Sequence, residues 1–337
     1  MVRIWHPIHK ALAGVFVAAL CAFSQATTSA RPGTINYVEG HASIDGQQID
    51  QKQIGHLNLE VDQTIQTEQN SKAEILLTPG VFLRLGSDSE LKMITPSLTD
   101  TRVAVTRGEA LVDVAQLFKD NNLEVMDKGA SARILKKGLY RFNADMPQVA
   151  VYDGKLSVVD GDRHVDLKKG RQVTLTSSGN LKAEKFDTKQ HDDLYAWSNL
   201  RSEYAAEASY ATARNIIVNN YGGWGMGYGA GWFWNPWYSS WAFVPSAGYF
   251  YDPFGWGFYS PAAVYYAPGY YLPGRYGSYP VNRSIGRVRS GVRGGAGIVT
   301  QPRTMPVRPA PVIRAPRPAP RMAAPRMPVM RAPGVRR

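Results

Sequence analysis

The chain has 337 residues, room for two ordinary domains, and a formal net charge of +12 that is unevenly distributed. No acidic residue and no lysine follows Asp252, whereas fourteen arginines lie between Arg275 and Arg337. Removing those fourteen charges from the total leaves −2 for the first 252 residues. The basic character therefore belongs to a tail, and the overall charge says nothing about the folded part.

The first residues have the pattern of an export signal. Arg3 and Lys10 flank the start of an uncharged apolar stretch at 11–23, and the small residues that end at Ala26 and Ala30 provide two cleavage sites. Thirteen apolar residues are fewer than the roughly 20 that a membrane span needs. We expect a signal peptide at 1–26, with cleavage at 30 or an uncleaved anchor as alternatives.

Cys21 is the only cysteine and lies inside the apolar stretch of that signal. Lipidation there is an alternative to simple cleavage, although Leu20 is larger than the residue that a lipoprotein site favours just before the cysteine. Removal of the signal leaves no cysteine, which excludes disulfides, thiolate metal sites and a cysteine nucleophile. The expected location is outside the cytoplasm: the periplasm, the outer envelope or the extracellular space.

Residues 34–177 have the pattern of many short strands. Apolar runs recur about every ten residues, which favours an all-β sandwich, barrel or solenoid over an α/β fold. Asp-Gly pairs between such runs are typical of tight hairpins, because both central residues of the turn adopt positive φ. The predicted turns are Asp45-Gly46, Pro79-Gly80, Asp153-Gly154 and Asp160-Gly161.

Two stretches of this β region contain a recurring order of apolar strands and turns. They are LNLEVDQTIQTEQNSKAEILLTPGVFLRLGSDSEL and RVAVTRGEALVDVAQLFKDNNLEVMDKGASARILKKGLYRFNADMPQVAVYDGKLSVV. In their order and spacing, these stretches resemble the FecR domain. The first is similar to the family's unit of two apolar strands around a turn. The second is similar to its Arg-Gly-Glu unit and to its Gly-x-Tyr-x-Phe unit with the following Asp-Gly.

The resemblance implies a solenoid-like or sandwich domain for protein–protein contact or signal relay, without a catalytic centre. Signalling members of the family carry a cytoplasmic anti-sigma segment ahead of a membrane span, whereas ten residues precede the apolar stretch here. We therefore do not extend the transporter-to-sigma-factor circuit to this chain.

Beyond the β region the sequence predicts one helix and two low-complexity segments. At 188–214 apolar residues recur every three or four positions without glycine or proline, and Asp187 or Thr188 is a plausible N-cap. Residues 221–280 are rich in Gly, Tyr, Trp and Pro. Residues 283–337 are rich in Arg and Pro, which predicts a disordered, polyproline-II-like arm.

The sequence contains no recognisable catalytic or metal-binding pattern. The six histidines are scattered, and His191-Asp192-Asp193 lies at the predicted helix start, where acidic residues suit the helix dipole. No glycine-rich stretch follows a strand and opens a helix. We expect a protein that is not an enzyme and that has no cofactor and no metal.

The stretch GWFWNPWYSSWAF at 231–243 admits three interpretations. It can form an irregular cap on the β domain, present rings that stack on sugars or other chains, or act as an adhesive segment. The stacking hypothesis names five binding candidates: Trp232, Trp234, Trp237, Trp241 and Trp256.

The arginine arm is interpreted as an electrostatic tether to an anionic polymer, or as a solvated tail without a target. Its representative residues are Arg314, Arg317, Arg321 and Arg326. The resulting hypothesis is a non-enzymatic cell-envelope protein with a FecR-type scaffold domain, an aromatic contact segment and a basic tether. Its partner would be an envelope protein or an anionic or glycan polymer. The alternatives are a periplasmic signalling regulator of the FecR type and an RNA- or single-stranded-DNA-binding protein, against which export argues.

Overall fold

The computed structural model describes residues 30–175, 181–219 and 230–266, which are mostly β-sheet. The first large sheet consists, in spatial order, of β1 (Thr34–Glu39), β5 (Lys72–Leu76), β6 (Val81–Leu85), β9 (Glu109–Val114), β12 (Gly138–Asn143), β13 (Gln148–Asp153), β16 (Arg171–Thr174) and β17 (Glu184–Lys185). The second consists of β15 (Arg163–Lys168), β14 (Lys155–Asp160), β11 (Ala130–Ile134), β10 (Asn122–Asp127), β8 (Asp100–Arg107), β7 (Glu90–Pro96), β4 (Thr64–Thr67), β2 (Ala42–Ile44) and β3 (Gln47–Gln48).

The two sheets enclose one apolar core, so the predicted all-β fold is confirmed as a sandwich. Strands β8 and β10 alternate half-buried and buried residues over most of their length, which is the pattern of a sheet with one solvated face. They are the one parallel pair among the described strands of these sheets, because β9 in the first sheet separates them along the chain. Strands β5 and β6 are instead buried at every residue, so this part of the first sheet is covered on both faces.

The predicted turns are confirmed in part. Asp45-Gly46 forms the expected two-residue hairpin with φ of 49° and 81°, and the turn at Pro79-Gly80 joins β5 to β6. Asp153-Gly154 is not a hairpin, because β13 lies in the first sheet and β14 in the second. The chain crosses between the sheets there. At 160–163 the loop residues are Gly161 and Asp162, since Asp160 pairs with Arg163.

Helix α1 (Asp193–Asn219) is the long helix that the periodicity predicts, but it begins five residues later and ends five residues later than 188–214. Asp192 rather than Asp187 or Thr188 caps it, because the Asp192 carboxylate accepts the Tyr195 backbone N–H at 2.8 Å. Asp187 instead accepts the N–H of Lys189, at 3.0 Å, in a turn ahead of the helix. No helix among the described residues has the length and apolarity to cross a membrane.

Residues 230–266 fold into what we call the cap. It contains two hairpins and a short helix: β18 (Gly231–Asn235), β19 (Ser240–Val244), β20 (Tyr249–Tyr251), β21 (Gly257–Tyr259) and α2 (Pro261–Tyr266). The cap and α1 cover the outer face of the first sheet. The rest of the predicted aromatic segment, 221–229 and 267–280, lies outside the described residues, as do the signal at 1–26, Cys21 and the arm at 283–337.

Candidate interaction surface

A fully buried ion-pair network lies on the outer face of the first sheet. The Arg84 guanidinium donates from Nε to Glu74 at 2.9 Å and from Nη1 to Asp113 at 3.1 Å, and all three side chains are inaccessible to solvent. They come from the adjacent strands β5, β6 and β9. Buried charges are stable only when they are paired and hydrogen-bonded, so this network needs a cover that supplies further partners.

Helix α1 supplies two of those partners. Arg201 donates to Glu74 Oε1 at 2.9 Å, and its guanidinium carbon lies 4.0 Å from the centre of the Tyr37 ring. Ser202 donates to Asp113 Oδ2 at 2.8 Å. Burial alone would raise the pKa of Glu74, but the two arginines hold it at about 2. These polar contacts fix the helix to the β domain in addition to its apolar packing, in which Leu194 and Trp197 contact the same sheet.

Asp252 of the cap joins the same network. Its side chain is buried, and Oδ1 accepts the Trp256 backbone N–H at 2.7 Å. Burial, and then the negative charge of Asp113, raise the pKa of Asp252 to about 8. Burial likewise raises the pKa of Asp113. Oδ1 of Asp113 and Oδ2 of Asp252 have no hydrogen-bond partner among the described residues, so a proton held by this pair would reduce their repulsion.

Two of the five candidate tryptophans lie in the interior. Trp232 is 5% exposed, and its ring meets that of Phe82 edge to face, with centres 5.2 Å apart. Trp241 is 8% exposed, and its indole N–H donates to the Gly55 carbonyl at 2.6 Å. These rings pack against the apolar outer face of the first sheet, in one cluster with Leu76 and Phe82. In this fold they are packing residues and present no free ring for stacking.

Trp234 and Trp256 are half-buried at the margin of the cap. The Trp234 ring lies 5.1 Å from that of His56. Trp256 donates its indole N–H to Asn199 of α1 at 2.8 Å. Each has one face on the protein, which leaves only part of either ring for a ligand.

Trp237 is the candidate that the fold leaves free, with 85% of its surface exposed at the turn between β18 and β19. Asn235 holds that turn: its side-chain amide donates to the Ala208 carbonyl at 3.2 Å and to Thr212 at 2.9 Å, and its oxygen accepts the Trp237 backbone N–H at 3.0 Å. The neighbouring Tyr238 is 39% exposed. We call Trp237 and Tyr238 the aromatic tip. It has the flat, amphipathic rings that are typical of contact surfaces.

The remaining candidates do not add a chemical centre. Asp192 pairs with Arg141, Asp193 pairs with Lys72 at 2.7 Å, and His191 stacks on Tyr195 with ring centres 3.8 Å apart. Within the described ranges no group of three or more His, Cys, Asp or Glu side chains could hold a metal ion. The arm residues Arg314, Arg317, Arg321 and Arg326 lie outside those ranges.

Sequence reasoning missed the ion-pair network. Its strand members lie among mostly apolar residues, in AEILL, VFLRL and EALVDV, where an alternating pattern assigns them to solvent. The apolar neighbours on the same face, such as Phe82 and Leu111, were the available signal that this face is covered.

Part of the β sandwich matches a known protein family. Residues 63–157 match the family model described as FecR protein. No curated protein matches the chain. Two crystal structures of a "putative anti-sigma factor" from Parabacteroides distasonis ATCC 8503 are similar to it. The first has 18% identity and a TM-score of 0.35, with 40% of this chain and 64% of the other covered. The second has 15% identity and a TM-score of 0.34, with 46% and 72% covered. The matched region thus spans less than two thirds of the first of these structures.

Proposed function

We propose that this chain, which carries a FecR domain at residues 63–157, is a non-enzymatic contact protein of the bacterial cell envelope. The domain is of a regulatory or interaction type. In our proposal it forms the scaffold, the aromatic tip contacts an envelope protein or glycan, and the arginine arm attaches to an anionic envelope polymer.

The observation that carries the proposal is the exposure of Trp237 on a turn that Asn235 anchors to α1. A tryptophan costs free energy when its ring is left in water, and the cap buries the rings of Trp232 and Trp241 nearby. A rigid, exposed ring loses little conformational entropy when a partner covers it. Contact with a partner is therefore the role that best accounts for its position.

The arm supplies the second element of the proposal. Its charge is arginine only, and arginine pairs with phosphates and carboxylates through two parallel hydrogen bonds. Binding through many such contacts releases counterions, so it weakens steeply as salt increases. Stacking at the aromatic tip does not depend on charge and would resist salt.

The test uses the full chain, a chain without residues 283–337, and the variants Trp237→Ala and Trp237→Phe, each bound to isolated envelope at low and high salt. We expect the deletion to remove the salt-sensitive part of binding. Trp237→Ala should weaken the salt-resistant part by roughly tenfold, since stacked rings contribute about 1–3 kcal/mol each, and Trp237→Phe should restore some of it. Binding that is unchanged in all variants would contradict the proposal. Equal binding to RNA, in a protein found inside the cell, would favour the nucleic-acid alternative.

Export is tested separately. Mass spectrometry of the mature N-terminus should find it after Ala26 or Ala30, and an intact Met1 on a cytoplasmic protein would contradict an envelope role.

A further inference from the structure

A groove of about 650 Å³ opens at one end of the sandwich. Three segments line it: the loop after β9, the turn between β11 and β12, and Phe250 of β20. The volume is in the range of ligand-binding clefts, roughly 300–1,000 Å³.

The groove is basic. Lys119, Lys136 and Lys137 line it and are exposed, and no described carboxylate lies within ion-pair distance of any of them. Arg133 adds a fourth cation, although its Nε is engaged with Asn122 at 2.6 Å. No acidic residue lines the groove. The charge of the three lysines is therefore uncompensated and complementary to a carboxylate-bearing ligand.

The groove is also apolar and offers one unused acceptor. Phe118 and Phe250 are half-buried in its wall, and Leu135 is 41% exposed beside the lysines. The Gln116 side-chain oxygen is buried, and no described donor reaches it. A buried acceptor without a donor costs free energy, which a ligand N–H would recover.

A repeated tetrapeptide shows that the exposed leucine and the unpaired lysines are particular to the groove. The tetrapeptide Leu-Lys-Lys-Gly occurs at 135–138 and again at 167–170. At the second site Leu167 is fully buried and Lys169 pairs with Asp153 at 3.3 Å. At the groove the corresponding leucine, Leu135, is exposed, and Lys136 and Lys137 have no ion-pair partner among the described residues. The difference comes from the fold and not from the local sequence.

We propose that this groove binds an acidic segment of a partner protein in which carboxylates alternate with apolar side chains. The lysines would receive the carboxylates, Phe118 and Phe250 the apolar side chains, and Gln116 a backbone N–H. A polyanionic glycan has no apolar side chains for Phe118 and Phe250 to contact, and a lipid acyl chain has no N–H for Gln116 to accept. Both therefore fit the groove less well than a peptide. Neither residue of the aromatic tip lines the groove, so the proposal goes beyond the function proposed above.

Zero-length cross-linking tests the proposal on the full chain. The probe is a blocked ten-residue peptide of alternating glutamate and leucine, coupled by a carbodiimide that joins its carboxylates to lysine amines. The arm cannot itself be coupled, because no lysine follows Asp252. Mass spectrometry should find the peptide on Lys119, Lys136 and Lys137 at about tenfold higher yield than on Lys168 and Lys169, the factor that corresponds to about 1.4 kcal/mol.

In the variants, the yield of peptide coupled to Lys119 is the quantity that is measured. Lys136→Gln with Lys137→Gln should lower the peptide yield on Lys119 severalfold, and Phe118→Ala should do the same. The matched change Lys168→Gln with Lys169→Gln should have no effect. Uniform labelling of all exposed lysines would overturn the proposal. So would equal competition by polyglutamate, which would indicate a site for charge alone, or stronger competition by anionic phospholipid vesicles, which would indicate a membrane surface.

Discussion

Arg84 donates to Glu74 at 2.9 Å with both side chains fully buried, between the β sandwich and the helix that covers it. Removing the arginine would leave two carboxylates, Glu74 and Asp113, in an environment that solvent does not reach. Breaking such a pair is far more costly than replacing the whole network by apolar groups.

We therefore expect Arg84→Met to lower the free energy of unfolding by about 3–5 kcal/mol, measured by urea denaturation. The control is Arg102→Met, which removes a partly exposed pair with Asp100 on the second sheet, also 2.9 Å long. Solvent screens that pair, so no measurable change is expected. Similar losses in the two variants would contradict a special role for the buried network.

The buried Asp252 carboxyl predicts a pH dependence of stability. Burial first, and then the charge of Asp113, raise its pKa to about 8, whereas the unfolded chain releases this proton near pH 4. Between these values the native state binds more protons than the unfolded state, so stability falls as the pH rises. The charges that face it are those of Asp113 and Arg84, and the Ser202 hydroxyl, which donates to Asp113, lies beside it.

Asp252→Asn keeps the shape of the side chain and its acceptor for Trp256 but removes the titration. We expect the melting temperature of the variant to exceed that of the wild type at about pH 8.5 and to approach it at about pH 5. Each unit of pKa shift corresponds to about 1.4 kcal/mol. Burial also raises the pKa of Asp127 to about 7, so this group adds its own pH dependence of stability. The variant Asp127→Asn serves as the control, because it removes that second contribution. An Asp252→Asn variant with the wild-type pH profile would disprove the coupling.

Two Asp-Gly pairs illustrate which features of this fold the sequence predicts and which it does not. The pair at 45–46 and the pair at 153–154 look alike, yet only the first closes a hairpin. Strand positions follow from local alternation, whereas the choice of sheet depends on partners far along the chain. The same limit hides the ion-pair network, because its cover is Arg201, more than a hundred residues after Glu74.

Gly154 is required at its crossover for a reason that local sequence does not contain. Its φ is +100°, and a Cβ there would lie 2.7 Å from the Lys137 carbonyl oxygen and in collision with the Tyr140 hydroxyl. Gly161 also has positive φ, at +58°, but nothing lies within 4 Å of its Cβ position. We expect Gly161→Ala to cost about 1–2 kcal/mol from backbone strain alone. Gly154→Ala should cost clearly more, and equal unfolding midpoints for the two variants would contradict the packing argument.

Two tryptophans of the cap allow a structural role to be distinguished from a binding role. Trp232 and Trp237 are five residues apart, yet one is 5% and the other 85% exposed. Trp232→Ala removes a ring packed against Phe82 and should cost about 3–5 kcal/mol of stability. Trp237→Ala removes no buried contact and should leave the melting temperature within about a degree, since surface changes rarely exceed 0.5 kcal/mol.

The two variants should therefore separate when stability and envelope binding are measured on the same samples. Trp237→Ala is expected to lose salt-resistant binding at wild-type stability, because the Trp237 ring is exposed to a partner whereas the Trp232 ring is buried. Trp232→Ala is expected to lose binding only as far as the cap unfolds, so lowering the temperature should restore it. If Trp237→Ala instead lowered the melting temperature as much as Trp232→Ala, the exposed ring would be part of the fold, and the contact role proposed for the aromatic tip would fail.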